Sequence, residues 1–316
     1  MMNKKSRILV LGGSGQVGSS LCKTLTKKYQ DISILRKSDW IDHSIDKNIK
    51  LISMDLFTQD ENSIKRLLSG YDVIFHLAAN TEVQNSLQIE NENLIKQVSL
   101  LNKLLLSMID TNKILIFSSS CSVYAGSHDE NININSKAKP VTSYDLVKSI
   151  SDKLIEYYKE THNVKCAPVR FSNIYGPDKE LAKKTNRRIL NILLSEMHIN
   201  NMVEIVSDGK FYRNYIHVND ASRMLINIAN NINTEQAIFI GCSKQNIYFI
   251  DAIKILADLY SREFKNPVKI TTGRKLKYKS DVRSFKVQPS KIFLSHFNYE
   301  YDLKKGFQDL LKNTKF

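Results

Sequence analysis

Short apolar runs alternate with longer stretches of helical spacing through the first half of the chain. "RILVL" (7–11), "ISIL" (32–35), "LISM" (51–54), "VIFHL" (73–77), "ILIF" (114–117) and "VKCAPV" (164–169) are predominantly apolar and four to six residues long. Runs of that length without polar alternation predict strands covered on both faces, as in a parallel sheet between helices. Between them Val17, Leu21 and Leu25 recur at four-residue spacing, and the segment Leu94 to Ile109 is rich in leucine. Leu146, Val147, Ile150, Leu154, Ile155 and Tyr158 mark a third helix. Repeated strand–helix alternation predicts an α/β fold with a doubly wound parallel sheet. The pattern loosens after about Asn173 with no repeat or low-complexity linker, so a smaller second lobe is expected to be interleaved with the first.

Composition changes this picture little. The 316 residues are 42% apolar and 25% charged, ordinary for a globular chain of one large domain or two joined lobes. No run approaches the roughly 20 apolar residues of a membrane helix. "MMNKKSRILVLGG" has a positive start but only a four-residue apolar run before its glycines, too short for a signal-peptide core. Cys22, Cys121, Cys166 and Cys242 form no Cys-x-x-Cys pair, against a zinc site or a disulfide framework, and no metal is expected. A cytoplasmic location with no membrane partner follows. The formal charge of +14 invites a nucleic-acid reading, but the 46 Lys and Arg are spread rather than gathered in blocks. An anionic substrate such as a nucleotide diphosphate fits that spread better, and no nucleic-acid partner is expected.

Two stretches carry candidate chemistry. "LVLGGSGQVGSSL" places Gly12, Gly15 and Gly18 between the first strand and the first helix, which Gln16 and Val17 open, and all five are expected to contact the cofactor. Residues without side chains let the backbone approach a pyrophosphate, let the helix pack on the strand, and leave the helix N-terminus to attract the anion. The second strand ends at Arg36 with Lys37 beside it, where an NAD site usually has an acid for the ribose hydroxyls. A guanidinium suits a 2′-phosphate, which favours NADP(H), with NAD(H) as the alternative. The other stretch is "SYDLVK" (143–148): Tyr144 and Lys148 are four apart in a helical pattern and share one face. That pair is either a surface coincidence in a lysine-rich chain or a phenol tuned to move protons.

Further segments fall into a known order. "MDL" (54–56), "DVIFHLAANTEV" (72–83), "FSSSCSVYAG" (117–126), "VRFSNIYGPD" (169–178) and "SDGKFYRNYIHVND" (207–220) follow the glycines at suitable distances. From residue 8 to about 243 the chain resembles the extended short-chain dehydrogenase/reductase family, in its nucleotide-sugar epimerase, dehydratase and reductase group, with a pattern like that of UDP-glucose 4-epimerase. The resemblance implies a Rossmann domain of residues 1–172 and 213–243, with residues 173–212 and 244–316 forming the nucleotide-sugar lobe. It implies Ser120, Tyr144 and Lys148 as the catalytic set. Tyr144 would be the general acid or base, brought nearer working pH by Lys148 and the nicotinamide charge. Lys148 would also hold the nicotinamide ribose, and Ser120 would orient the reacting oxygen. Asp55 with Leu56 would contact the adenine; Leu77, Ala78, Ala79 and Ser118 would line the cofactor; Phe171 would border the nicotinamide. Asn173 and Arg213 match positions that bind the substrate's diphosphate, and the likeness extends to a homodimer.

Departures from the family pattern direct the reading. Cys121 and Ser122 stand where the 4,6-dehydratase branch has an Asp-Glu pair, which disfavours dehydration. The late diphosphate-gripping arginine is missing from "YKSD" (278–281), where Arg283 or Lys279 would compensate. "NENLIKQVSLLNK" lacks the family's Asn-x-x-Gly-Thr element. His76 and His217 read as structural, and Asp220 as the N-cap of a helix over 221–230. The function expected is NADP(H)-dependent reduction of a nucleotide-linked 4-keto, 6-deoxy sugar for surface polysaccharide. The alternatives are an NAD-dependent 4-epimerase and a non-catalytic dinucleotide sensor.

Overall fold

The computed structural model describes residues 2–36, 46–78, 91–177, 189–232, 236–274, 284–295 and 297–314. The first half contains β1 (Arg7–Leu11), α1 (Gln16–Leu25), β2 (Asp31–Arg36), β3 (Lys50–Ser53), α2 (Glu61–Ser69) and β4 (Val73–His76). It continues through α3 (Asn91–Leu106), β5 (Ile114–Ser120), β6 (Asn131–Ile132), α4 (Ser143–His162) and β7 (Lys165–Phe171). The second half contains β8 (Asn173–Tyr175), α5 (Ile189–Asn200), β9 (Met202–Val206), β10 (Tyr212–His217), α6 (Val218–Asn230) and β11 (Phe239–Gly241). It ends with β12 (Asn246–Tyr248), α7 (Phe249–Phe264), β13 (Lys269–Arg274), β14 (Lys286–Val287), α8 (Lys291–Ser295) and α9 (Leu303–Asn313).

Seven strands form one parallel sheet in the order β11-β7-β5-β4-β1-β2-β3. From β1 the chain winds outward to β2 and β3, then returns to β4 on the other side, so the strand order reverses between β1 and β4. One face buries Ile8, Val10, Ile34 and Phe75 against Leu21 and Leu25 of α1 and Met224 and Leu225 of α6. The opposite face buries Leu9, Leu11, Ile74 and Leu115 against Ile64 of α2, Leu104 of α3 and Ile155 of α4. This double covering explains why the strands read as apolar runs. The sheet edge is the exception: β3 pairs on one side only among the described residues, and its Leu51 is exposed. Among the described residues no helix is long and apolar enough to cross a membrane.

The looser second half forms the small sheet β12-β10-β8, the pair β13-β9, and α5, α7 and α9 around Tyr175, Leu194, Ile253, Leu256 and Phe307. Asp220 is not the cap expected of it. Helix α6 starts three residues earlier than expected, with His217 as N-cap and its Nδ1 accepting from the Asn219 amide at 3.3 Å. The fully buried Asp220 carboxylate accepts instead from the Glu300 and Tyr301 amides, at 3.2 Å each, and pairs with Arg223. An acid one turn into a helix thereby clasps the C-terminal segment to α6.

Candidate active site

The described residues expected to meet a dinucleotide all lie at the carboxyl edge of the large sheet. Gly12 to Gly18 follow β1, Arg36 ends β2, Asp55 and Leu56 follow β3, and Leu77 and Ala78 follow β4. Ser118 and Ser120 end β5, and Phe171 ends β7. Open doubly wound sheets bind ligands outside this edge, where the strand order reverses.

The three spaced glycines answer to different constraints. Gly12 has φ +83°, and a Cβ there would lie 2.7 Å from the Ala78 nitrogen, so the β1 and β4 loops touch through backbone. A Cβ on Gly18 would lie 2.2 Å from the Gly12 carbonyl oxygen, so α1 seats on the loop only without it. Gly15 is different. Its φ is −71°, which any residue adopts, and a Cβ would meet only the Gly12 oxygen at an ordinary 3.5 Å. Among the described residues there is room for a side chain at Gly15, the N-cap of α1. Helix α1 has no side-chain cap and no acid in its first turn, so its N-terminal field is left for an anion. These residues fit a pyrophosphate.

Around this cradle the side chains vary in how far they are already engaged. Gln16 donates through Nε2 to the Gly176 carbonyl at 2.8 Å, joining the cradle to the loop after β8. Val17 packs against the core, and Leu77 is partly buried beside it. Asp55 accepts from the Phe57 amide at 3.0 Å, capping a single 3₁₀ turn, and Leu56 is buried beneath it. Arg36 is half-buried at the end of β2. Ala78 is exposed at the mouth. Phe171 lies beside Ser120 in register and is only 3% exposed, its ring packed on Gly241, which leaves little free face. Lys37 and Ala79 lie outside the described residues.

The opening of α4 brings the catalytic candidates together. Thr142 and Asp145 form a capping box, so the helix begins at Ser143 and Tyr144 stands in its first turn. The half-buried Tyr144 phenol lies near enough to Ser120 for that hydroxyl to favour its ionised form, and the Ser120 hydroxyl accepts from the Ser122 amide at 3.1 Å. Burial pushes Tyr144 up to about 12, with the nearby Ser120 hydroxyl opposing. Lys148 Nζ donates to the Ser118 carbonyl at 2.6 Å and stands 5.8 Å from the Tyr144 ring centre, while burial brings the lysine down to about 8. The chain's own groups therefore hold Tyr144 as a neutral phenol.

Asn173 and Arg213 occupy the small sheet beyond this edge. The parallel pairing of β8 with β10 sets Asn173 beside Tyr215, two residues on from Arg213, so both belong to one face. Asn173 is exposed and donates through Nδ2 to the Asn214 carbonyl at 2.9 Å. Arg213 lies over the Phe211 ring at 4.4 Å and donates to the Tyr212 carbonyl at 2.9 Å. Arg283, Lys279 and the segments 179–188 and 278–281 lie outside the described residues.

Sequence reading passed over a buried polar layer under this site. Asn214, where the family motif has aspartate, donates to the Ser243 and Gln245 carbonyls at 2.9 and 3.0 Å and accepts from Ser172 at 2.8 Å. Asp152 and Arg170 pair at 2.7 Å with exposures of 0% and 4%. The available signal was a carboxylate four residues beyond Lys148 and an arginine inside an apolar strand. Cys121 is also buried: its thiol is pushed up to about 12 and donates to the Arg170 carbonyl at 3.4 Å. Among the described residues no group of three or more His, Cys, Asp or Glu is placed to hold a metal.

The family model described as "NAD dependent epimerase/dehydratase family" matches residues 8–241. A putative UDP-glucose 4-epimerase of Methanocaldococcus jannaschii is 27% identical over 235 residues, 71% of this chain and 75% of that protein. The UDP-glucose 4-epimerase of Thermotoga maritima, solved with UDP-glucose, superposes with a TM-score of 0.80 at 21% identity, covering 97% of this chain and 98% of that one. The UDP-glucuronic acid 4-epimerase of Bacillus cereus, solved with UDP-glucuronic acid and NAD, gives 0.78 at 18% identity with the same coverage of 97% and 98%.

Proposed function

The chain belongs to the NAD-dependent epimerase/dehydratase family of extended short-chain dehydrogenase/reductase enzymes, and on that premise we propose that it reduces the 4-keto group of a nucleotide-linked 6-deoxy sugar with NADPH. The observation that carries this reading is the Tyr144 phenol, set beside Ser120 at the sheet's carboxyl edge and held protonated by its burial. A protonated phenol is the form that gives a proton to a carbonyl oxygen. A bound reduced nicotinamide supplies the hydride to the carbonyl carbon. Ser120 orients the sugar oxygen, Tyr144 delivers its proton to it, and the resulting phenolate is reprotonated from solvent. Lys148 steadies that transient negative charge from the next helical turn and holds the ribose. The backbone around Gly15 takes the pyrophosphate, while Asn173 and Arg213 take the substrate's diphosphate.

Arg36 supports the NADP preference, because an acid at that place would repel a 2′-phosphate. Against it, a relative of the same fold holds NAD. A second reading is therefore an NAD-dependent 4-epimerase, favoured by relatives that carry that name. Dehydration is disfavoured, since the Cys121 thiol is neutral and committed to the Arg170 carbonyl. In this reading residues 1–172 and 213–243 are the cofactor unit, and 173–212 with 244–316 the sugar-nucleotide lobe. Two elements are shared: β10 pairs with β8 and β12, and Phe293 of α8 packs in the large core. A cytoplasmic homodimer completes it.

The test is to denature freshly purified protein and identify the released nucleotide by mass spectrometry. NADP, or none, followed by NADPH oxidation with a 4-keto nucleotide sugar, supports the reductase. Near-stoichiometric NAD makes the epimerase the working assignment, because an enzyme that closes its own redox cycle need not exchange cofactor.

A further inference from the structure

Tyr144, Lys148 and Asp152 follow one another at four-residue intervals on α4, so phenol, ammonium and carboxylate stand in one column. Tyr144 is half-buried at the mouth, whereas Lys148 is 4% exposed and Asp152 fully buried. The Lys148 ammonium donates to Ser118 and sits 4.4 Å from the Phe117 ring centre, in surroundings that penalise a charge. Behind it Asp152 Oδ2 accepts from Arg170 Nε at 2.7 Å, and Arg170 donates in turn to the Tyr124 hydroxyl. Asp152 Oδ1 is buried with no well-formed hydrogen bond. The Ser119 hydroxyl lies near enough to favour the carboxylate's charge but outside good geometry.

A buried ion pair is weak evidence for stability, since apolar replacements often serve as well. This one stands directly behind the lysine that serves the reacting end. We propose that Asp152, held by Arg170, is a positioning residue that keeps Lys148 charged and in place under Tyr144. The proposal deepens the redox reading above. Arg170 orients the carboxylate and leaves Oδ1 without a bond of its own, and the column geometry sets that carboxylate one helical turn behind the ammonium.

The charged and titratable neighbours of Lys148 all bear on this. From α4 come Tyr144 and Asp152. From β5 come the Phe117 ring and the Ser118 carbonyl, and from β7 the Arg170 guanidinium behind the carboxylate. From β4 comes His76, whose ring packs edge-on to Phe117 and which burial and the lysine's charge push down to about 3, so it stays neutral. Asp152 is the neighbour that raises Lys148 against the loss from burial. Without it Lys148 gives up its proton at lower pH.

The test reads Lys148 directly. In full-length protein labelled with carbon-13 at lysine Cε, the Lys148 resonance is assigned with Lys148→Arg and titrated in wild type, Asp152→Asn and Asp152→Glu. This needs no substrate, so it fails or succeeds independently of the redox assignment. Asp152→Asn is expected to lower the Lys148 midpoint by about one pH unit or more, and Asp152→Glu to restore it. Where activity is measured, the alkaline fall in kcat moves down with the midpoint, and the loss is larger at pH 8 than at pH 6.5. Should Asp152→Asn leave Arg170 unpaired and fail to fold, Asp152→Asn/Arg170→Met removes both charges together and is expected to shift the midpoint in the same direction. A midpoint unmoved in whichever of these variants folds, with only the melting temperature changed, overturns the proposal and leaves the pair a structural one.

Discussion

At the carboxyl edge of the large sheet, Gly15 stands where the protein has space for a side chain, and Lys148 holds a charge in a buried place. In the small lobe the corresponding candidates are turned inward. Arg213 lies on Phe211 and bonds the Tyr212 carbonyl, and Asn173 bonds the Asn214 carbonyl. The first region contains features that packing of the described residues does not require, and the dinucleotide of the proposed function would supply the reason for them. Each feature of the second already has a partner within the fold, so its geometry alone says less about what it binds. Chemistry is therefore read from the sheet edge, and substrate identity has to be read by experiment in the lobe.

The largest expected effect belongs to the edge. Tyr144→Phe removes the proton donor and leaves the packing, so kcat should fall by ~10²–10⁴-fold, with cofactor affinity and melting temperature little changed. Retained activity would reduce the edge to a binding surface. Paired glycine substitutions come next. Gly15→Val should weaken dinucleotide binding by about a hundredfold, roughly 2.7 kcal/mol, without loss of stability, because its side chain enters the ligand's space. Gly18→Ala should do the reverse, destabilising by ~1–3 kcal/mol through overpacking against the Gly12 carbonyl. Calorimetry on apo and cofactor-loaded protein separates the two. If both variants simply unfold, Gly15 has no functional meaning.

The lobe should respond more mildly and in a different parameter. Arg213→Leu is expected to raise KM for the nucleotide sugar about tenfold with a smaller change in kcat, as for a group that grips ground and transition states alike. Equal losses in kcat and kcat/KM would move Arg213 into the chemistry. Gln16→Ala is the probe of the connection between the regions, since Gln16 joins the cradle to the Gly176 loop. It should raise the same KM severalfold while cofactor affinity holds.

The smallest effect is acid sensitivity. The folded protein holds His76 neutral down to about 3, while in the unfolded chain it takes a proton near its ordinary value. The unfolded state thus binds more protons between those limits, so stability falls as pH drops through that window, with a slope of at most about 1.4 kcal/mol per unit. Denaturant melts of His76→Gln from pH 6 to pH 4 should show a shallower slope than wild type.

The same contrast explains what was legible in the sequence. The core strands were readable because helices cover both faces of the sheet, which leaves unbroken apolar runs such as "RILVL" and "ILIF". The cradle was readable because close backbone approach at Gly12 and Gly18 tolerates no side chain. Asp152 was not, since a carboxylate on a helix looks solvated until the fold buries it against Arg170. Asp220 misled for a related reason: its position before an apolar stripe suggests a cap, but its partners are amides of Glu300 and Tyr301, eighty or more residues away. The Lys148 bond to the Ser118 carbonyl was likewise invisible, because spacing gives the face shared with Tyr144 but not the neighbouring strand.

The most direct test of the central claim is a single turnover with NADPH carrying deuterium at nicotinamide carbon 4, mixed with a nucleotide-linked 4-keto-6-deoxy sugar. Mass and proton spectra of the product then locate the label. Deuterium at carbon 4 of the sugar, absent with Tyr144→Phe, is the predicted result. A dinucleotide that binds at the edge yet is never oxidised by any nucleotide sugar would contradict it.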